Sequence, residues 1–403
     1  VLEQGAGRQL KKISTDSRTI GNGDIFIALK GESFNGHDFL DKAIQSQAAC
    51  LVVSEQRETG NGDFSSVKVD DTLTALGDLA GWRRQAVKQM NNPVVVGITG
   101  SCGKTTVKEM TASIFSKQWP EECDKPPNRV LKTVGNFNNL IGLPLSLLPA
   151  SAGLEGIVLE MGMNQPGEIK RLTEIADPDI ACITNVHSAH LEGLGSIENV
   201  ARAKAELFAG SRIDSVHVVN LDDQRIAAWS EKYAEQRKIT YSVTEEGIRQ
   251  NPDIWATEMS ADSSGHMSFI LHVRDEHAQV TLEAPGLHNC SNSCAAAAIA
   301  YSADIEFQAI VEGLENFTST VNRMESMRTP EGLNILNDTY NANPASMASA
   351  LDTIKSMDAG KRMAILGDML ELGAEADQLH RDIGQHVARS KIHFLGVYGS
   401  LAE

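Results

Sequence analysis

The sequence is short of several things, and each shortage narrows the function. Its 403 residues contain no charge-free apolar run long enough to span a bilayer, so membrane insertion is not expected. Cations are outnumbered, 36 Lys and Arg against 53 Asp and Glu, for a formal net charge of −17. That balance argues against a nucleic-acid partner, which favours a basic face. The six cysteines (50, 102, 123, 182, 290 and 294) are scattered, with no CxxC pair, and read as reduced thiols of a cytosol. The start, VLEQGAGRQLKK, has neither an apolar signal-peptide core nor an initiator Met, so export is not indicated and a trimmed N-terminus is expected. There is no internal repeat or low-complexity tract. The length allows two or three domains, each with its own core. An acidic chain can still bind anionic small molecules, because a few Lys, Arg and Mg²⁺ charges dominate a cleft.

The most informative stretch is VVVGITGSCGKTTVKEMT, residues 94–111. A β-branched run stops at the turn Gly100-Ser101-Cys102-Gly103, and Lys104-Thr105-Thr106 opens a helical stretch. Strand, glycine loop, helix is the order a phosphate cradle needs: glycines let N–H groups converge, and the helix start adds partial positive charge. Lys104 can reach the β- and γ-phosphates of ATP, and the Thr105 hydroxyl can ligate Mg²⁺. The loop is a shortened variant, since Ile98 stands where the usual pattern has glycine. Cys102 sits where helix-start amides lower a thiol pKa, although a small residue that fits is the plainer reading.

Residues 1–84 read as a small α/β domain, with strands at IFIALKG and GESFNGHDFL, a helix at DKAIQSQAA and the short run CLVV. Ser17 and Arg18 can hold a phosphate through a hydroxyl and a guanidinium fork, but Asp16-Ser17-Arg18 alone is more often a surface turn. A polar helix near residues 73–90 leads to the hinge Asn91-Asn92-Pro93. The central stretch, 85–317, alternates strand and helix signals as an open parallel sheet does. Two of its strands end on Glu160 and on NVHSAH (185–190). Ligands gather beyond the carboxyl ends of such strands, so Glu160 and His190 belong on the rim of the phosphate loop, where both can ligate metal. For His187 a metal-binding and a structural reading balance, and it is assigned no role. The asparagines of TVGNFNNLIGLP are turn chemistry or, in a cleft, neutral hydrogen-bonding groups. A helix over 199–209 carries Lys204, which the residues alone make a solvated lysine. SVHVV, SFILHV and QVTLEA add strands, and Asn289 and Asn292 share one face at a helix start, as caps or as partners of an adenine edge. From about 318 a third β-α-β unit begins, with strands at LNILND, RMAIL and HFLGVYG. Its Arg323 can clamp a γ-phosphate and its Asp338 a ribose, or both can be surface charges.

Taken together, TGSCGKTT, GNFNNLIGLP, LEMGM, TNVHSAHLEGLGS, RAKAELF, GLHNCSN, NRME, NDTYNANPASM and LGDMLELG stand in the order they have in Mur ligases. With STDSR, GDIFIALKG and NGHDF before them, the chain resembles that family from about residue 14 to 373. The resemblance implies three domains: a small N-terminal UDP-binding α/β domain (1–84), a central P-loop parallel-sheet ATPase domain (85–317), and a Rossmann-like C-terminal domain (318–403). The last is expected to be incomplete, because the family continues past HFLGVYG. It also implies a reaction in which ATP phosphorylates the terminal carboxylate of a UDP-N-acetylmuramoyl tripeptide and the amine of D-Ala-D-Ala attacks the acyl phosphate; NDTYNANP points to that step. Lys104 is implied at the phosphates, with the loop Gly100 to Thr106 around them. Thr105 and Glu160 are implied at one Mg²⁺, His190 at a second, and Asn139 near the reacting carboxylate. Lys204 matches a lysine that relatives carry as a carbamate made with CO₂, which reverses the solvated reading. Asn289 and Asn292 match adenine contacts, Arg323 a γ-phosphate contact, Asp338 a nucleotide contact, and Ser17 and Arg18 the UDP region. A cytoplasmic monomer with small-molecule substrates is expected. The rivals are another amide ligase of the superfamily, whether a diaminopimelate- or lysine-adding enzyme or a folylpolyglutamate synthase, and a switch protein that hydrolyses ATP without ligation.

Overall fold

The computed structural model describes residues 10–31, 33–55, 64–121 and 128–403; Cys123 and the first nine residues lie outside that description. The chain divides into two compact units, Val1–Asn92 with Thr133–Ala152, and Pro93–Lys132 with Gly153–Glu403.

The first unit holds a parallel sheet of β1 (Ile13–Ser14), β2 (Ile25–Ile27), β3 (Cys50–Val53) and β4 (Ser65–Lys68), paired in that order. Helices α1 (Leu40–Gln45) and α2 (Thr72–Asn91) accompany it. Asp71 starts α2 by accepting the Thr74 amide at 2.6 Å, and Asn92, left-handed at φ 46°, ends it before Pro93. Among its described residues GESFNGHDFL forms no strand. Asn35 accepts the His37 amide and starts a 3₁₀ turn, Gly36–Phe39. A Cβ on Gly36 would lie 2.6 Å from the Leu29 carbonyl oxygen, so only glycine lets the turn close on its neighbour. Residues 133–152 add the short helix Gly142–Leu147, and Ile141, Leu145 and Leu148 pack against Ile27, Leu29 and Leu76.

The second unit is built on a nine-stranded sheet: β5 (Val94–Thr99), β6 (Val130–Lys132), β7 (Gly156–Glu160), β8 (Ile180–Ile183), β9 (Val216–Asn220), β10 (Arg237–Ser242), β11 (Ile254–Ala261), β12 (His266–Val273) and β13 (Glu276–Pro285). Their spatial order is β6-β7-β5-β8-β9-β10-β11-β12-β13, so the phosphate-loop strand β5 lies between β7 and β8. Pairing is parallel from β6 to β11 and antiparallel from β11 to β13. The strand types follow: β7, β8 and β9 are buried along their whole length, whereas β12 alternates strictly. Helix α3 (Lys104–Gln118) and the helices His288–Ser302 and Phe307–Glu315 share one core with the sheet. Ala295 to Ala298 and Ala300 are fully buried there, their small side chains admitting a close helix–sheet approach.

The same unit continues with an antiparallel pair, β14 (Glu325–Arg328) and β15 (Asn334–Asn337), and a parallel pair, β16 (Met363–Gly367) and β17 (Phe394–Tyr398). LNILND therefore pairs back on β14 instead of joining β16. Helix Ala376–Arg389 makes β16 and β17 a β-α-β unit, and helix Pro344–Ser356 is opened by a capping box on Asn343 with Pro344 next to it. Among the described residues no helix is long and apolar enough to cross a membrane.

Candidate active site

The site is built where β5 turns into α3. Gly100 has φ +151° and Gly103 φ +81°. A Cβ on Gly100 would fall 1.9 Å from Thr184 Oγ1, and one on Gly103 would fall 2.4 Å from Asn292 Oδ1. Both positions thus demand glycine for backbone angle and for space. The segment after β8 braces the loop from one side. Ser101 N donates to the Asn185 carbonyl at 3.0 Å, and Cys102 N to Asn185 Oδ1 at 2.8 Å. Thr184 Oγ1 and Asn185 Nδ2 both donate to the Cys102 carbonyl, at 2.6 and 3.1 Å. The His187 backbone meets Ser101 Oγ as donor and as acceptor, at 2.9 and 3.1 Å. His187 thus holds the loop through its main chain, and burial lowers its imidazole pKa.

Lys104 folds back over the turn, donating to the Gly100 carbonyl at 2.7 Å, and burial lowers its pKa. Thr105, one residue on, donates its hydroxyl to Glu160 Oε2 at 2.7 Å, and both side chains are buried. Thr106 follows, half-buried, in the first turn of α3. The first amides of α3 have no partner within the helix, so the loop presents donors, a lysine and a hydroxyl–carboxylate pair together. That set fits a nucleotide phosphate with a hard cation. Among the described residues no three His, Cys, Asp or Glu side chains gather into a metal cluster. Asn289 Nδ2 donates to the Pro285 carbonyl at 2.8 Å and Oδ1 accepts from Asn292 Nδ2 at 3.0 Å, which leaves Asn292 Oδ1 against Gly103. The two amides share a face, as their spacing predicts.

His190 stands at φ +56° just before a short helix, and its Nδ1 lies 2.6 Å from Glu371 Oε2. Burial and then the Lys204 charge lower its pKa, while Glu371 opposes them. Lys204 corrects the expectation of a solvated lysine. It is 2% exposed, and no hydrogen bond or ion pair holds its ammonium among the described residues. Burial, then the Lys104 charge, pushes its pKa well below the usual lysine range. The helix expected over 199–209 breaks beside it into Ile197–Lys204 and Glu206–Gly210.

Three family descriptions match this chain: the Mur ligase catalytic domain over residues 9–84, the Mur ligase middle domain over 98–300, and the Mur ligase glutamate ligase domain over 322–403. The chain belongs to the Mur ligase family. It is 37% identical over 382 residues, 95% of this chain and 80% of the relative, to the UDP-N-acetylmuramoyl-tripeptide–D-alanyl-D-alanine ligase of Escherichia coli (strain K12). The enzyme of that name from Bacillus subtilis (strain 168) is 36% identical over 392 residues, 96% and 80% of the two chains. A MurF crystal structure from Acinetobacter baumannii superposes with a TM-score of 0.88 at 32% identity, covering 98% of this chain and 81% of that one. A MurF ligase from Thermotoga maritima, crystallised with ADP, gives 0.81 at 26% identity, covering 96% and 88%.

In this Mur ligase the C-terminal segment reaches the Gly100–Gly103 turn. Cys102 Sγ donates to Asn343 Oδ1 at 3.4 Å, and burial pushes the thiol up, against the lowering that helix-start amides alone would give. Arg323 sits over the Tyr340 ring at 3.7 Å, between Asn322 and Met324, both left-handed, and its charge lowers the Lys104 pKa. Asp338 Oδ1 accepts the Met324 amide at 3.1 Å, and burial raises its pKa. The remaining expected residues lie in the first unit. Ser17 is buried there, and Arg18 is held bidentate by Asp16, whose pKa falls to about 2 through that bond. Asn139 Oδ1 accepts the Ile141 and Gly142 amides at 3.1 and 2.8 Å, which starts the helix Gly142–Leu147.

Sequence reasoning missed Lys108. It is 1% exposed, with Nζ 2.9 Å from Glu109 Oε1 and 4.0 Å from Glu160 Oε2, and Lys132 closes on the other Glu109 oxygen. Burial would raise the Glu109 pKa, but the bonds from Lys132 and Lys108 hold its carboxyl below the usual range. The available signal was spacing: Lys108 is four residues beyond Lys104 and three beyond Thr105, so it shares their helix face. Asn185, Asn343 and Glu371 were missed as partners because nothing local in the sequence ties them to the loop.

Proposed function

We propose that this Mur ligase joins D-alanyl-D-alanine to a UDP-N-acetylmuramoyl tripeptide at the expense of ATP, in the building of a peptidoglycan precursor. The observation that carries the reading is the phosphate loop with Lys104 above it and Thr105 paired to Glu160, in a chain 37% identical to a ligase of that name. A carboxylate is a poor electrophile. One of its oxygens attacks the γ-phosphorus of ATP, ADP leaves, and the acyl phosphate now carries a good leaving group. The dipeptide amine then forms the C–N bond, its proton passes to a base, and the tetrahedral intermediate expels phosphate.

The residues supply what this sequence needs. Charge accumulates on the transferring phosphoryl group, so catalysis is mostly positioning and cationic stabilisation. Lys104 is poised for the phosphates, Arg323 for the γ-phosphate, Asn289 and Asn292 for the adenine, and Asp338 for the sugar. Thr105 and Glu160 would hold one Mg²⁺ and His190 a second, which would neutralise developing oxygen charge. Lys204 is buried and biased towards the neutral amine, the form that takes up CO₂ to give a carbamate able to hold or orient a cation. Asn139 is assigned to the reacting carboxylate, and Ser17 and Arg18 to the UDP moiety. Residues 1–84, 85–317 and 318–403 serve in this reading as UDP-binding, ATP-binding and closing domains of a cytoplasmic monomer.

The test is phosphate release with ATP, Mg²⁺ and UDP-N-acetylmuramoyl tripeptide, with and without D-Ala-D-Ala. Release that requires the dipeptide, with a UDP-N-acetylmuramoyl pentapeptide identified by mass, is the expected result. Release without dipeptide would favour a hydrolytic switch and overturn the reading.

A further inference from the structure

The mechanism above leaves one built contact unused. Glu371 comes from the C-terminal segment, 181 residues after His190, yet its Oε2 lies 2.6 Å from His190 Nδ1. The contact is fastened from the backbone as well as the side chains. The Glu192 amide donates to the Glu371 carbonyl at 3.0 Å. A Cβ added to Gly373 would come within 3.3 Å of Glu192 Cα, closer than most side chains tolerate, so the two segments run tightly together there. Glu371 and His190 are both non-glycine residues at positive φ, +62° and +56°, a conformation that costs energy and persists where the surroundings fix it. An exposed ion pair alone would mean little, since half of the Glu371 side chain is exposed. A short bond locked by main-chain contacts on both sides is a positioning device.

The chemistry of the pair then decides the tautomer. A carboxylate only accepts, so Nδ1 must carry a proton, and in the neutral imidazole Nε2 is then the bare nitrogen. A carboxylate behind one imidazole nitrogen, leaving the other to coordinate, is the arrangement that orients metal-binding histidines. We propose that Glu371 is a positioning residue that holds His190 in its Nδ1–H tautomer and presents Nε2 to the reacting site. The inference rests on placing His190 in that site. It adds that His190 is set only while the segment carrying Glu371 is docked, so the C-terminal segment completes the site through a partner of a cation ligand as well as through Arg323.

The experiment reads the tautomer directly. The full chain, labelled with ¹⁵N-histidine, is examined by long-range ¹H–¹⁵N correlation at about pH 8, where imidazoles are neutral, with His190 assigned from its loss in His190→Gln. The wild type should show the Nδ1–H pattern. Glu371→Ala should move His190 towards the Nε2–H form that free imidazole prefers, and Glu371→Gln, whose amide oxygen still accepts, should keep Nδ1–H. In parallel, kcat/KM should fall by roughly 10–100-fold in Glu371→Ala, the usual range for such partners, and largely recover in Glu371→Gln. An Nε2–H wild type, or a pattern unmoved in Glu371→Ala with an unchanged melting temperature, overturns the proposal. Dipeptide-independent phosphate release by a wild type with the Nδ1–H pattern would instead overturn the ligase reading and leave this one standing.

Discussion

Replacing Lys108 by methionine tests how the site balances charge before any cation arrives. The substitution keeps most of the side-chain volume and removes one positive charge from the core. Lys108 Nζ lies 4.0 Å from Glu160 Oε2, and both side chains are 1% exposed. Two unit charges at that separation interact by about 4 kcal/mol at an effective dielectric near 20, and breaking a buried pair costs about 3–5 kcal/mol. Part of this is offset, because Glu109 keeps Lys132 as a partner and is 22% exposed. Lys108→Met should therefore lose about 2–4 kcal/mol, seen as a melting temperature lower by roughly 3–7 °C in EDTA for a unit of this size. A dication beside Glu160 would replace the missing charge. By linkage, Mg²⁺ with a non-hydrolysable ATP analogue must then stabilise the variant more than the wild type, and the gap in melting temperature should narrow. Differential scanning calorimetry with EDTA, with nucleotide alone and with Mg²⁺–nucleotide separates the terms. A gap that stays constant or widens on adding Mg²⁺–nucleotide would refute the claim that Lys108 balances Glu160.

Other substitutions isolate single features. Gly103→Ala forces a side chain into φ +81° with its Cβ 2.4 Å from Asn292 Oδ1; ATP affinity by calorimetry should fall at least about tenfold while circular dichroism stays native, since the strain of roughly 1–2 kcal/mol falls on the loop. Lys204→Ala should abolish turnover, and short-chain carboxylates should restore part of it; full activity without them would exclude the carbamate. His217 is fully buried, Nδ1 has no hydrogen-bond partner among the described residues, and burial lowers its pKa from 6.5 to about 4. The unfolded chain takes that proton first, so the stability His217 contributes is present above about 6.5 and is lost as pH falls towards 4, on the order of 3 kcal/mol. His217→Phe, which keeps an aromatic ring stacked on Phe208, should flatten this acid limb in denaturant titrations; an unchanged limb would exclude His217 as its source.

Much of the site was legible because it is local. GKTT after a β-branched strand fixes loop, lysine and hydroxyl within a few residues, and Glu160 and His190 follow from the rule that strand ends share a rim. Asn289 and Asn292 were readable from one helical turn. Lys204 was not readable from its neighbours, because AKAEL has the composition of an exposed helix and only the packed core shows that its side chain is buried. Lys108 was hidden in the same way. The Glu371–His190 pair and the Cys102–Asn343 bond join residues 181 and 241 positions apart, which no periodicity encodes. Strand β10 was missed because RKITYS opens on two cations, though Ile239 and Tyr241 are buried between its neighbours. GESFNGHDFL misled for a turn-chemistry reason, Asn35 capping what composition alone made a strand.

The return of residues 133–152 to the first unit has a consequence for dissecting the molecule. The chain passes between units three times, at 92/93, 132/133 and 152/153. A fragment ending at Asn92 would carry Leu76 and Ile27, fully covered in the whole chain, but not Ile141, Leu145 and Leu148 that pack beside them. It would present that apolar surface to water and aggregate or melt early. No single proteolytic cut can release the first unit as an autonomous piece. A stable excised version must graft residues 133–152 back through a designed linker, and swapping this unit between homologues means exchanging two segments at once.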